Sequence, residues 1–237
     1  MDTVSVIVAC YNPKWEKLKN TITSIIRQKR IEVEIIVADD GSVYSYENEL
    51  KDLFRSFGFN AYKLKLSKKN EGTVKNLISA LDLSSAEYIK VISPGDYLYD
   101  EFTLYSWMLF IKDKKAAWSF SDVCYYTEHE EVKDFCMPQE LRVHMAENTQ
   151  EARWNYAILG DVAVGAAIIG RKDLMMQYYR KISDAGVLYG DDNIWRLMMF
   201  DGIVGKYYKK VCVWYEHGSG ISALFFSCER AGLRGRP

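Results

Sequence analysis

The sequence predicts an α/β fold: a doubly wound, mostly parallel central sheet with a small antiparallel second sheet. Three observations carry this prediction. Over the first hundred residues, short β-branched runs alternate with segments of helical spacing. The runs are almost continuously apolar, as strands covered on both faces are. Polar clusters follow the first, second and fourth runs directly, which is where ligands bind in such sheets.

Residues 4–9 are apolar apart from Ser5 and read as the first strand. Residues 15–28 place Leu18, Ile22, Ile25 and Ile26 on one helical face. A second strand over 33–38 ends in Asp39, Asp40, Gly41 and Ser42, and residues 46–57 read as a helix. Residues 61–66 alternate as a shorter third strand, 73–83 have helical spacing, and 88–92 form the fourth strand. This βαβαβαβ order favours parallel pairing, because each helix crosses over the sheet. Beyond residue 101 the rhythm changes. Residues 102–111 read as a helix, and 117–127 and 132–135 as antiparallel strands around His129 and Glu130. Residues 140–155 are polar and receive no element. A short strand over 164–169, helices over 172–180 and 191–200, and a long strand over 204–215 complete the pattern. One domain over 1–237 is expected, with its two halves meeting near residue 100.

The chain has 237 residues, of which 49% are hydrophobic, enough for a sizeable core. Its 31 Lys and Arg nearly balance its 32 Asp and Glu, giving a net charge of −1 with no basic patch, which argues against nucleic acid as a partner. Cys10, Cys124, Cys136, Cys212 and Cys228 are scattered without a CxxC pair. That fits reduced thiols in a cytoplasmic protein, with no zinc site. The opening residues run into a strand without a basic n-region, so no signal peptide is expected. The apolar stretch 157–170 is too short to span a bilayer and carries Asp161. Peripheral contact with the inner face of the plasma membrane stays open.

Several residues have two readings. Asp39 to Ser42 make either a turn with a helix cap, or a carboxylate that reaches the crevice and accepts a uracil N–H or a ribose hydroxyl. After the first strand, Ala9, Cys10, Tyr11 and Asn12 stand where a glycine-rich phosphate loop would lie, and no P-loop occurs. Bound phosphates would therefore need another counter-charge. Asp96, in the turn Ser93, Pro94, Gly95, Asp96, is either a surface turn residue or a ligand for a hard divalent cation, with Gly95 allowing close backbone approach. Asp191 and Asp192 are either an N-cap and a dipole partner, or include a general base on the helix they open. His217 is a loop residue or a metal or phosphate ligand. Tyr97, Tyr99, Trp154 and Trp195 pack in the core or stack on sugar rings.

Taken in order, these features resemble the family 2 inverting glycosyltransferases of the GT-A fold, of bacterial surface-polysaccharide type. The resemblance runs from residues 4–12 through 24–28, 34–42 and 70–76, the last matching the family's Asn-x-Gly-x-x-x-Asn stretch, to the acidic pair and the loop 217–222. It implies a nucleotide-binding half over 1–100, an acceptor and catalytic half over 101–222, and a short tail over 223–237. It implies that Ala9, Tyr11, Asn12, Asp39, Asp40, Asn70, Gly72, Lys75, Gly95 and Asp96 surround the nucleotide sugar. Asp39 would meet the base, Tyr11 its ring, and Lys75 the diphosphate. Mg²⁺ or Mn²⁺ would be held by Asp96 and His217. The sequence departs from the family's DxD pattern, because Ser93 and Gly95 replace two carboxylates.

The resemblance further implies a UDP-sugar donor and a saccharide or lipid-linked saccharide acceptor, with a homodimer left open. Asp192 would act as base beside Asp191, with Arg196 as a supporting partner, and a single displacement would invert the anomeric centre. The alternative is a sugar-nucleotide-binding protein without transfer, suggested by the thinned DxD region and the short tail. A nucleotidyltransferase is disfavoured, because no glycine-rich basic loop opens the chain.

Overall fold

A computed structural model describes residues 2–127, 131–132, 147, 150–151, 154, 163–190 and 193–216. Its parallel part is made by β1 (Thr3–Cys10), β2 (Glu32–Asp39), β3 (Tyr62–Leu66) and β4 (Tyr88–Ile92), linked by α1 (Trp15–Ile26), α2 (Glu47–Ser56) and α3 (Thr73–Leu83). β5 (Tyr97–Leu98), α4 (Thr103–Asp113), β6 (Trp118–Tyr126) and β7 (Glu131–Val132) follow. Then come a 3₁₀ turn (Gly165–Ala167), β8 (Ile168–Arg171), α5 (Lys172–Asp184), α6 (Asn193–Phe200) and β9 (Lys206–Glu216).

The strand order is β3-β2-β1-β4-β8-β6-β9-β5, with β7 paired to β6. β1 is parallel to both β2 and β4. The antiparallel group joins through β8, which runs antiparallel to β4 and to β6, so both groups share one sheet. β9 runs parallel to β6, with register shifts on either side of Asp122.

Strands covered on both faces need two cores, and two are present. On one face, Leu18, Ile22 and Ile25 of α1, Phe54 of α2 and Trp107 of α4 pack over Val4, Val6 and Val8. On the other, Leu77 of α3, Tyr178 of α5 and Trp195 of α6 pack with Ile7 and Ile36. Successive residues of β1 thus enter opposite cores, as the strand period requires.

The short strand expected over 164–169 is instead a 3₁₀ turn followed by β8. Residues 165–167 are Gly-Ala-Ala, with little side chain to fill a sheet surface, and the Ala167 N–H closes the turn on the Val164 carbonyl at 2.7 Å. β5 has only two residues, too few for a period to be seen. Of the strand expected over 132–135, residues 133–135 lie outside the described residues, as does most of 140–155.

One packing point is tight enough to test. Trp118 is fully buried, and its indole N–H donates to the Ile203 carbonyl at 2.8 Å. A Cβ on Gly205 would lie 2.6 Å from three atoms of that ring. The ring cannot retreat without breaking its hydrogen bond. Gly205→Ala is expected to destabilise by about 1–3 kcal/mol through overpacking, more than the ~0.4–1 kcal/mol gained from a stiffer unfolded chain. Thermal unfolding should show a Tm lower by several degrees; an unchanged or raised Tm would contradict this packing.

Candidate active site

Chain order leaves β1 for β2 and β3, then returns to β4 on the other side of β1. The loops after β1 and β4 therefore diverge and open a crevice at the carboxyl ends of the strands. Three segments border it: Tyr11 and Asn12 after β1, Asp39 to Ser42 after β2, and Ser93 to Asp96 after β4.

The first two segments are tied together. Asn12 is left-handed, with φ 48°. Its backbone N–H donates to Ser42 Oγ at 2.7 Å, and its side-chain oxygen accepts the Val43 N–H at 2.8 Å. Ser42 donates its backbone N–H and its hydroxyl to the two Asp39 oxygens, at 2.7 and 2.6 Å. The Cys10 thiol is also directed at Asp39, at 3.7 Å. Burial, and then the Asp39 charge, push that thiol well above its usual pKa, so Cys10 is not a nucleophile. Asp39 both builds the turn and stands half-buried at the crevice. Tyr11 is exposed at the rim, and Ala9 pairs with Ala38 in the ladder.

Asp40 does different work. It is buried, and its two oxygens accept the backbone N–H groups of Glu71 and Gly72, each at 3.0 Å. Asn70 Oδ1 also accepts the Gly72 N–H at 3.0 Å. Asp40, Asn70 and Gly72 thus form a supporting turn. Asn76 is buried below it, donating to the Ala38 carbonyl at 2.9 Å and accepting from Lys65 at 2.7 Å. Lys75 is exposed on the first turn of α3.

Asp96 is 8% exposed at the end of β4. Its Oδ1 accepts the Glu216 backbone N–H at 3.0 Å, and its carbonyl accepts the Thr21 hydroxyl at 2.7 Å. Thr21 Oγ1 also accepts the Gly95 N–H at 3.1 Å, and Tyr126 donates its hydroxyl to the Gly95 carbonyl. Gly95 has φ +109°, and a Cβ there would lie 2.4 Å from Glu216 Oε2, so only glycine fits. Glu216 is ion-paired with Lys17. Burial raises the Asp96 pKa to about 7, against the lowering effects of the Glu216 N–H and of Lys90.

Lys90 is fully buried in β4, donating to the Val91 carbonyl at 2.8 Å and to the Ala166 carbonyl. Desolvation pulls its pKa well below the usual lysine value, with Asp96 opposing. Sequence reasoning passed over Thr21, Lys17, Lys90 and Glu216. Lys90 had a visible signal, as the one charged residue in an apolar run; Thr21 had none.

Among the described residues, no group of three or more His, Cys, Asp or Glu side chains could hold a metal ion. Asp96 offers one carboxylate, which is enough for a hard cation that also takes phosphate oxygens. Asp191, Asp192 and His217 lie outside the described residues. Gly190 and Asn193, which flank the acidic pair, are described: the Gly190 carbonyl accepts the Asn193 N–H at 3.1 Å and its side-chain amide at 2.8 Å.

Beside the Asp96 turn, Tyr97 of β5 and Tyr99 just after it lie against Trp214, with centroids 6.2 and 5.4 Å away, and Tyr97 lies 5.2 Å from Tyr126. Trp195 belongs to the core, against Trp118 at 5.2 Å, and Trp154 is exposed. An open cavity of about 510 Å³ lined by Glu32, Glu34, Tyr62 and Lys63 sits at the opposite, amino ends of the strands. Glu34 there is engaged by Ser5, Lys63 and Ser85, so this cavity is apart from the crevice.

The glycosyl transferase family 2 model matches residues 5–175, well over half of the chain. Among solved structures, S. aureus TarS 1-349 has a TM-score of 0.62 at 17% identity, covering 91% of this chain and 60% of that one. The same S. aureus TarS segment in complex with UDP-GlcNAc gives 0.63 at 18%, covering 93% and 60%, and S. aureus TarS gives 0.60 at 17%, covering 92% and 37%. At such identities the likeness shows a shared fold, and the chain spans about three fifths of TarS 1-349. No curated protein matches the sequence. No described helix is long and apolar enough to cross a membrane. The family match extends across β1, the Asp39 to Ser42 turn and the Asp96 turn, and the chain belongs to glycosyl transferase family 2.

Proposed function

We propose that the protein transfers a sugar from a nucleoside diphosphate sugar, a UDP-sugar in the first instance, to a saccharide or lipid-linked saccharide in surface polysaccharide assembly. The observation that carries this reading is the pairing of Asp39 and Asp96 at the ends of β2 and β4, on either side of β1. The fold shared with a UDP-GlcNAc complex of TarS supports the choice of donor. Asp39 would accept the N–H of the base, with Tyr11 against its ring. Asp96, with His217, would hold Mg²⁺ or Mn²⁺, which when bound supplies positive charge beside the diphosphate. Lys75 adds to that charge.

The acceptor hydroxyl is a poor nucleophile at neutral pH. Asp192 would take its proton as the oxygen attacks the anomeric carbon, while the bond to the nucleoside diphosphate breaks with its electron pair. Asp191 immediately precedes the base in the sequence. One in-line displacement inverts the centre, and neither Ser nor Cys is needed as a nucleophile.

Two outcomes test this. In Asp192→Asn, UDP affinity should stay within about threefold while sugar transfer falls by roughly 10²–10⁴-fold, the usual contribution of a general base. Full activity in that variant would remove Asp192 from the chemistry. Donor binding by the wild type without turnover on any saccharide acceptor would favour the binding-protein reading, to which Ser93 and Gly95 in place of carboxylates lend weight. The second outcome concerns pH. Asp96 must be charged to hold a cation, and burial keeps its proton on up to about pH 7. Metal-dependent UDP affinity, followed calorimetrically, should therefore weaken as pH falls below 7, by at most about tenfold per unit, and be flat above it. Asp96→Asn should abolish both the metal requirement and the slope; a slope that survives would place the titrating group elsewhere.

A further inference from the structure

We infer that Asp40 is a positioning residue for the connector before α6: it grips residues 70–72, and that turn seats residues 188–190, which in sequence precede Asp191 and Asp192. The role of the pair rests on the function proposed above; the grip rests on geometry alone.

Two carboxylates stand in succession at the end of β2. Asp39 is taken up by Ser42 and Cys10 on the crevice side. Asp40 turns instead to the loop before α3. Its N–H donates to the Cys10 carbonyl at 2.9 Å, which extends the β1–β2 ladder and fixes the residue's backbone. Both of its oxygens are then used on consecutive N–H groups, those of Glu71 and Gly72. Hydrogen bonds to a charged acceptor are about twice as strong as neutral ones, and this acceptor is buried. Gly41 adds a steric constraint. At φ +81°, a Cβ on it would lie 2.3 Å from the carbonyl carbon of Lys69 and 2.7 Å from the nitrogen of Asn70. The β2 turn is therefore laid flat on the backbone of residues 69–72.

The far side of the same backbone carries residues 188–190. α3 has Gly72 as its N-cap and so no capping side chain. An N–H of its first turn needs a partner from elsewhere, and the Leu188 carbonyl accepts the Val74 N–H at 3.1 Å. Gly72 lies against that same carbonyl: with φ +92°, its missing Cβ would sit 2.7 Å from Leu188 O and 3.2 Å from Leu188 Cβ. The Tyr189 hydroxyl meets Asn70 Oδ1 at 3.5 Å. Gly190 then closes onto Asn193, and α6 is anchored by Ile194, Trp195, Met198 and Met199 in the core. Residues 188–190 thus have as their seat the turn that Asp40 holds, and α6 is fixed in the core. A shift of the 70–72 backbone moves the Leu188 carbonyl with it.

Two variants act on opposite sides of this contact. Asp40→Asn keeps one acceptor oxygen but sets an NH₂ group against the second backbone N–H. Gly72→Ala pushes on the Leu188 carbonyl. Hydrogen exchange followed by mass spectrometry should show protection over residues 186–190 and at Val74 falling about tenfold or more in both variants, while β1 stays protected and so serves as the folding control. UDP affinity should stay within about threefold and donor KM should hold, while kcat falls as the 188–190 segment loses its seat. Unchanged protection over 186–190 in both variants would overturn the inference. So would loss of UDP affinity in Asp40→Asn with protection intact, since Asp40 would then be a nucleotide ligand. If the wild type binds no UDP, the proposed function falls, and the exchange comparison still decides whether Asp40 holds the segment.

Discussion

Burying a carboxylate at the end of β4 is costly unless its surroundings compensate, and much of the crevice follows from that compensation at Asp96. The Glu216 N–H supplies one hydrogen bond to its side chain, and Thr21 fixes the backbone on both sides of Gly95. Lys90, held beneath in the core, opposes that cost from within, although desolvation draws its own pKa down to about 7. The Glu216 carboxylate works against Asp96, and its ion pair with Lys17 tempers that repulsion. Gly95 is required because its φ of +109° is strained for any side chain, and the Glu216 carboxylate lies where a Cβ would be. β9 is drawn into the site for the same reason, since its last residue donates the N–H to Asp96. The arrangement suits a group that gains from a cation: Asp96 alone keeps its proton near neutrality, and a divalent ion would displace it.

The second organising feature is the division of labour between Asp39 and Asp40. Two adjacent carboxylates repel if both face one space. The extended backbone at the end of β2 sends them to different partners, one to the crevice and one to the turn before α3. A carboxylate at the crevice and a structural clamp are thereby made from neighbouring residues. The clamp links the first half of the chain to the connector between α5 and α6, far away in sequence.

Much of the parallel half was legible in the residues. The helix over 73–83 and the strand over 88–92 agree with the structure to the residue, because their apolar spacing is clean and their ends carry turn residues. The placing of the polar clusters was legible too, since each directly follows a strand. What escaped was set by tertiary contact. The Asp40 carboxylate was expected beside the nucleotide, but its two N–H partners lie some thirty positions on and leave no local pattern. Glu216 and Thr21 act through backbone bonds whose partners no spacing reveals. Trp195, a candidate sugar platform by residue type, is a core residue because α6 turns it against Trp118. β5 is too short to show a period, and the Gly-Ala-Ala stretch before β8 looked like strand only because its neighbours are apolar.

The central claim is that a nucleoside diphosphate lies in the crevice between the ends of β1 and β4, with its base at Asp39 and its diphosphate at Asp96. A crystal structure of the protein with UDP and Mn²⁺ tests it most directly. The uracil ring is expected against Tyr11 with its N–H on Asp39, and anomalous density for manganese at the Asp96 carboxylate. UDP bound away from Asp39, or manganese ordered on the nucleotide without contact to Asp96, would contradict it.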